Sequence, residues 1–356
     1  MVELGGLKPL TYSMPSTVGL VASARGKRAH RPPAFAGRCC GASWTVSRLV
    51  SSPGVTVTLL LHLAVLHRSF TFRWIRGPLN VSKVCGGRAR SVGSDGPRLV
   101  PMSVLHAVGL PNVGVFGSVP ALVELAVLAE HSGWDGVHLW DHLLYHDPEW
   151  PVASPVATAA AVAAATQRVR IVLTLTLPRR QVQDVAQDTA GIAALAGGRL
   201  TVLGIIGSMD REFTEFGLDP DLKARGRALD ERLARVQELW RQWGAPEIPL
   251  WCGGRWPRKA GLRRAARFDG VLLTFADQRN STVPVETFAD AVGFVRELAG
   301  NRPFDVAVEG ATEPGTAAGH IAPYAAAGAT WWVEAMGWWR GALATARDRI
   351  TAGPPA

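Results

Sequence analysis

From about position 102 to the C-terminus, short runs of β-branched and aliphatic residues alternate with longer Ala- and Leu-rich runs in which apolar positions recur every three or four residues. Repeated alternation of a strand period with a helix period is the pattern of βα units around a parallel sheet. It predicts strands over 106–115, 136–140, 170–175, 200–206, 248–251, 270–274, 305–308 and 330–334. Helices follow over 120–133, 155–166, 183–195, 222–243, 258–267, 285–298, 316–326 and 341–350. In the first helix Leu122, Leu125, Ala126 and Ala129 share a face. In the fourth, Leu229, Leu233, Val236 and Trp240 point inward while Arg alternates with Asp and Glu on a solvated side. Gly197 and Gly198 read as a helix C-cap. Eight units in about 250 residues match a closed (β/α)8 TIM barrel, an α/β fold. The alternative is an open doubly wound sheet, but the segment 109–117 does not carry its G-x-G-x-x-G fingerprint. There is no P-loop, no G-x-S-x-G elbow and no H-E-x-x-H.

The first 101 residues differ. RGKRAHRPPAFAGRCCGASW and CGGRARSVGSDGPRL sustain neither period, so a basic, largely unstructured extension is expected over 1–101 and a barrel over 102–356. Charge divides at the same place. The net +9 comes from 14 Lys+Arg against 2 Asp+Glu before Met102, which leaves 24 against 27 in the body. The mildly acidic body gives no reason to expect a nucleic-acid partner. The preferred reading is that translation begins at Met102; a basic targeting or nucleic-acid arm and a transit peptide are the alternatives. The apolar run 55–67 is 13 residues long and interrupted by His62, whereas a membrane helix needs roughly 20. Cys39, Cys40, Cys85 and Cys252 show no metal-ligand spacing, so no metal and a reducing, cytoplasmic setting are expected.

Active sites of such barrels gather at the C-terminal ends of the strands. The second strand ends in WDHLLY, where Asp141 would orient His142 as an acid–base group, unless Asp141 only caps a turn and His142 only packs. The third ends in TLTLPRR, bringing Thr174, Arg179 and Arg180 to the rim, where the arginines would hold an anion or be solvated. The fourth ends in GIIGS; Gly204, Gly207 and Ser208 would let a flat ligand approach, or merely serve the turn. The fifth runs into CGGRWPRKAG, where Gly253 and Gly254 are read as a turn before a helix whose first turn carries Pro257. Backbone N–H groups there, with Arg255 or Arg258, would suit a phosphate. In WWVEAMGWW, Trp331 and Trp332 would face opposite sides of a buried strand, so that half of the run is core.

Taken together, AEHSGWDGVHLWDHLLY, TLTLPRR, GGRLTVLGIIGS with EFTEFG, RALDERLARVQELW and IPLWCGGRWPRKAGLRRAARFDGV resemble the bacterial luciferase-like monooxygenases, in family order over essentially all of 102–356. The resemblance implies a cofactor, reduced FMN or the deazaflavin coenzyme F-420, over the barrel mouth. It assigns His142 to substrate or ring contact and Gly253 and Gly254 to the phosphate side, and it implies a non-prolyl cis peptide within 172–174. Three departures stand out: Val182 replaces a proline common in relatives, only RQWGAPEI joins the fourth helix to the fifth strand, and Ser208 stands where the deazaflavin-linked sugar dehydrogenases have an acidic residue.

The leading expectation is a flavin-dependent monooxygenase, an oxidoreductase acting on paired donors that uses reduced FMN and O2 on a small organic substrate, with a separate flavin reductase as partner. The second is hydride transfer with the deazaflavin. The third is a non-catalytic flavin-binding barrel that lost its entrance segment. A homodimer through outer helices fits all three, and none needs a membrane.

Overall fold

The computed structural model describes residues 34–39, 42–47, 104–276, 278 and 283–355. The apolar run 55–67 and Cys40 and Cys85 lie outside them. In the N-terminal unit the described element is an antiparallel pair, Ala34–Cys39 with Ala42–Ser47.

In the C-terminal unit eight strands alternate with helices: β1 Leu105–Leu110, α1 Val119–His131, β2 Gly136–Leu139, α2 Pro155–Ala165, β3 Arg170–Thr176, α3 Val182–Ala196, β4 Leu200–Ile205 and α4 Leu222–Gln242. The second half continues with β5 Leu250–Trp256, α5 Lys259–Ala265, β6 Gly270–Phe275, α6 Val285–Ala299, β7 Asp305–Gly310, α7 Ala317–Ala326, β8 Trp331–Ala335 and α8 Leu343–Thr351. The strands close into one parallel barrel in which β8 returns to β1. Two boundaries differ from the predicted ones. β1 stops at Leu110 because the chain then leaves the sheet for a 3-10 turn, Gly114–Phe116. β5 runs on through Cys252, Gly253 and Gly254 because β6 pairs with it residue by residue as far as Trp256↔Phe275.

A closed barrel is buried on both faces of its sheet, so strand alternation sorts residues into two cores rather than a core and a surface. Ala107, Val172, Leu203, Trp251, Leu272, Ala307, Trp331 and Val333 fill the interior. Their neighbours, such as Val108, Val137, Ile171, Leu173 and Val306, pack outward under the helices. Trp331 and Trp332 do face opposite sides, and both sides are core: Trp331 meets Trp251 inside (centroids 6.0 Å), and Trp332 meets Tyr324 of α7 outside (5.3 Å).

The helices follow from equally local causes. α1 buries Leu122, Leu125, Ala126 and Ala129, and α4 buries Leu229, Leu233, Val236, Leu239 and Trp240. Asp221 caps α4 by accepting a hydrogen bond from the Ala224 N–H at 2.7 Å. Gly197 ends α3 in the left-handed conformation (φ 58°) that favours glycine. Among the described residues no helix is long and apolar enough to cross a membrane, and no cluster of His, Cys, Asp or Glu could hold a metal ion. The peptide bonds within 172–174 are trans, since the cis bond among the described residues is Trp256–Pro257. β3 pairs there with β4 residue by residue, and with β2 as far as Leu173, and that ladder keeps the backbone extended.

Between β4 and β5 the barrel wall is thin. The two strands pair only at Val202↔Leu250, Leu203↔Trp251 and Gly204↔Cys252, although both continue. Outside this seam α4 and α5 meet through a polar bridge, Arg264 to Asp230 (2.9 Å) and to the Gly226 carbonyl (3.1 Å).

Candidate active site at the barrel mouth

A cavity of about 1630 Å³ opens at the C-terminal ends of the strands. Its floor is polar at three interior-facing positions: His138 on β2, Thr174 on β3 and Glu309 on β7. Each lies between residues that pack outward, as strand alternation requires. His138 Nε2 is 2.7 Å from Thr174 Oγ1, and its Nδ1 is 3.8 Å from Glu309 Oε2 without a hydrogen-bond partner. Burial drives the His138 imidazole down to about 4, so it is neutral at pH 7. Burial also pushes the Glu309 carboxyl up to about 7, against the lowering effect of a hydrogen bond with Trp140.

On the rim stands a charged network of Asp141, His142, Arg179, Arg180 and Glu212, in which both carboxylates are buried. Asp141 accepts from Thr176 N–H (2.7 Å) and Arg180 Nη2 (2.7 Å), and Arg179 Nη2 lies at 3.2 Å. Glu212, in the short helical turn Arg211–Thr214 after β4, meets Arg179 Nη1 (2.9 Å) and His142 Nδ1 (3.0 Å). It also accepts the N–H of Leu143 at 2.6 Å. Burial alone would raise both carboxyls; Arg180 and Arg179 hold Asp141 below its ordinary value, and the His142 hydrogen bond followed by the charges of His142 and Arg179 does so for Glu212. Asn112 fastens the loop by bonding both the N–H and the C=O of His142 (2.9 Å each).

An aromatic wall rises beside the network. Trp140 stacks with Trp339 (6.2 Å, 23°), and Tyr145 meets His142 (4.5 Å) and Trp338 (4.9 Å) edge-on. Trp338 and Trp339 belong to a 3-10 turn anchored by Arg340, which reaches the fully buried Glu334 at 2.6 Å. Opposite, the cavity extends through the thin seam towards α4 and α5, where Lys223, Arg227, Arg255 and Arg258 line it. No ion pair engages these four among the described residues, while Asp210 and Asp230 beside them are held by Arg225 and by Arg264 and Arg267.

Several expectations need correction. Asp141 does not orient His142: its carboxylate, fully buried, is taken by Arg179, Arg180 and a backbone N–H, and Glu212 holds the imidazole instead. Arg179 is neither solvated nor free for an anion, because Asp141 and Glu212 take its guanidinium. Gly204 faces away from the cavity, and a Cβ there would meet Leu233 at 3.1 Å and Leu229 at 3.4 Å. Gly253 and Gly254 are strand residues rather than a turn at a helix start; α5 begins at Lys259 with Arg258 as its N-cap, so Pro257 lies before the helix and not in its first turn. Their lack of side chains serves close packing: a Cβ on Gly253 would stand 2.9 Å from Ile205 of β4, and one on Gly254 2.8 Å from Leu262 of α5. Thr174, His142, Gly207, Ser208, Gly253, Gly254 and Arg255 do line the cavity. Gly207 holds a positive φ of 81°, and Ser208 is exposed at the rim.

Sequence reasoning missed Glu212, His138 and Glu309. Glu212 stands in the EFTEFG segment, and only the folded loop shows its contact with a residue 70 positions away. The floor pair was within reach of strand alternation: His138 lies between Val137 and Leu139, and Glu309 falls one residue beyond the predicted end of its strand.

Comparison with known proteins gives a family match and several relatives. The family model described as luciferase-like monooxygenase matches residues 102–297. An F420-dependent glucose-6-phosphate dehydrogenase of Beutenbergia cavernae is 39% identical over 126 residues, 33% of this chain and 36% of the relative. One of Amycolatopsis mediterranei is 36% identical over 124 residues, 33% of this chain and 37% of that protein. The aligned region thus spans little more than a third of these relatives. Among solved structures, an F420-dependent secondary alcohol dehydrogenase bound to an F420-acetone adduct has a TM-score of 0.56 at 17% identity, covering 71% of this chain and 100% of that one, a likeness of fold.

Proposed function

The chain belongs to the luciferase-like monooxygenase family, and from that premise we propose that it is an oxidoreductase transferring a hydride between a small hydroxyl- or carbonyl-bearing substrate and the deazaflavin coenzyme F-420 at the barrel mouth. The observation that carries this reading is the His142–Glu212 contact. A carboxylate only accepts, and Glu212 is held ionised, so the proton between them sits on His142 Nδ1. In the neutral form of the imidazole the other ring nitrogen is then an acceptor, suited to take the proton of a substrate hydroxyl. Arg179 and Asp141 keep Glu212 charged and in place. The names of the similar proteins support the same coenzyme class.

The residues present fit such a coenzyme. A cavity of about 1630 Å³ admits a tricyclic ring together with a substrate. The cations Lys223, Arg227, Arg255 and Arg258 offer charge-assisted hydrogen bonds to an anionic tail. Trp140 and Trp339 give a flat apolar wall. When bound, the coenzyme supplies a hydride acceptor that does not use O2 productively. A glucose-6-phosphate substrate is not carried over, because Ser208 replaces the acidic residue at the fourth strand.

The second reading is reduced FMN with O2, for which a separate flavin reductase would be a partner. The aromatic wall favours it; the thin seam between β4 and β5 disfavours it, because oxygen chemistry needs a site that excludes water. The test is oxidation of secondary alcohols with each coenzyme, with and without air. Deazaflavin-linked turnover indifferent to air, with kcat about 10²–10⁴-fold lower in His142→Ala, is expected. Turnover only with reduced FMN and air would transfer the assignment to the second reading.

A further inference from the structure

The reaction proposed above uses the rim histidine and leaves a second titratable pair unexplained on the cavity floor. Glu309 is the carboxylate among the interior-facing residues at the mouth of the barrel, and its side chain keeps 18% of its surface accessible. Opposite it, His138 has a side chain only 4% exposed and an Nδ1 without a partner. Their 3.8 Å separation is too long for a hydrogen bond and too short for a bridging water, so the two groups face each other directly.

The surroundings isolate this pair from other charge. β1 presents Gly109, whose absent side chain leaves room beside Glu309 Oε2, and β6 presents Thr274. Beyond β2 stand Trp140, which hydrogen-bonds the carboxyl, and Tyr145, whose phenol the charge of Glu309 helps to raise. Glu334 of β8 points to the outer layer and is satisfied there by Thr312, Trp332, Arg340 and Arg349. Gln278 contacts only the backbone carbonyl of Glu309. No Lys or Arg pairs with Glu309 among the described residues, in contrast to Asp141 and Glu212 on the rim.

We propose that Glu309 is a second acid–base group of this site, holding with His138 one exchangeable proton on the cavity floor and exchanging it with the ligand seated there. The proposal rests on the coenzyme reading above and deepens it. Hydride transfer removes from an alcohol one hydride and one hydroxyl proton, and adds to the acceptor one hydride and one proton. His142 takes the first proton at the rim. Glu309 gives the second, becomes a carboxylate facing His138, and regains a proton from solvent through the open mouth. The direction reverses for carbonyl reduction. Titration midpoints of about 7 for Glu309 and about 4 for His138 leave Glu309 as the member that exchanges near neutral pH.

The test is infrared spectroscopy of the free full-length protein, following the protonated-carboxyl band from pH 5 to 9. One band is expected to vanish with a midpoint near 7, to be missing in Glu309→Gln, and to move to higher pH in Trp140→Phe, which removes the hydrogen bond favouring the carboxylate. Absence of any such band in the wild type overturns the proposal. Calorimetry with oxidised coenzyme F-420 in two buffers of different ionisation enthalpy supplies the second readout. Proton uptake is expected near pH 7.5 and is lost in Glu309→Gln; uptake unchanged in that variant overturns the role assigned to Glu309. Failure of the coenzyme to bind would count against the coenzyme reading, while the infrared titration still decides the pair.

Discussion

Replacing Glu212 by alanine should cost several kcal/mol of stability, because it breaks a buried network from one side. The side chain is fully buried, pairs with Arg179 at 2.9 Å, and accepts from His142 Nδ1 and the Leu143 N–H. Its removal strands the guanidinium of Arg179, itself 4% exposed, with Asp141 as its remaining partner, already shared with Arg180. Breaking a buried pair from one side costs about 3–5 kcal/mol. At about 2–4 °C per kcal/mol for a body of this size, Tm falls by roughly 6–20 °C. Glu212→Gln keeps an acceptor for His142 and Leu143 and loses only the charge, so about 1.5–3 kcal/mol is expected. The assay is thermal and urea unfolding of the wild type, both variants, Arg179→Met and the double variant Glu212→Ala/Arg179→Met. Contact between the two predicts a coupling energy of about 0.5–3 kcal/mol. A loss under about 1 kcal/mol for Glu212→Ala, or strict additivity with Arg179→Met, would refute the network as described. Because Glu212 titrates below its ordinary value, its contribution is present above that value and disappears as pH falls through the lowered one; the gap between wild type and Glu212→Gln should close in acid.

Glu309 has the opposite sign. Its folded-state value near 7 lies above its ordinary 4.5, so its stabilising effect is complete below 4.5 and is lost as pH rises through 7. Urea unfolding should therefore show Glu309→Gln gaining on the wild type by up to about 3 kcal/mol between pH 4.5 and 8. His138, held near 4 against 6.5, weakens the fold as pH falls from 6.5 to 4. Gly261→Ala would place a Cβ 2.7 Å from the Gly253 carbonyl and should destabilise by about 1–3 kcal/mol. Gly191→Ala on the exposed face of α3 meets nothing within 4 Å and should stabilise by about 0.5–1 kcal/mol, both read by thermal unfolding. Charge reversal at Arg255 and Arg258 should weaken binding of an anionic coenzyme and flatten its salt dependence, as a fluorescence titration at two ionic strengths would show.

The barrel was legible because periodicity is a local property: Leu122, Leu125 and Ala129, or Val137 and Leu139, announce their burial without reference to distant chain. The end of β5 was misread because Gly253 and Gly254 carry turn chemistry locally, while their strand conformation is imposed by pairing with β6. At the site, strand ends located His142, Asp141 and Thr174. They did not show which carboxylate holds which base, because Asp141 and Glu212 exchange the partners that adjacency suggests through loops folded over 70 positions. Alternation carried one residue further along β7 would have set Glu309 on the floor opposite His138.

The central claim is that the barrel mouth binds a flavin-type coenzyme for hydride transfer, and a parallel titration of the protein with F-420 and FMN, followed by alcohol addition in sealed and aerated cells, tests it most directly. Saturable F-420 binding with bleaching of the coenzyme at equal rates in both cells is the predicted result. Binding of neither coenzyme, or turnover that requires FMN and air, would contradict it.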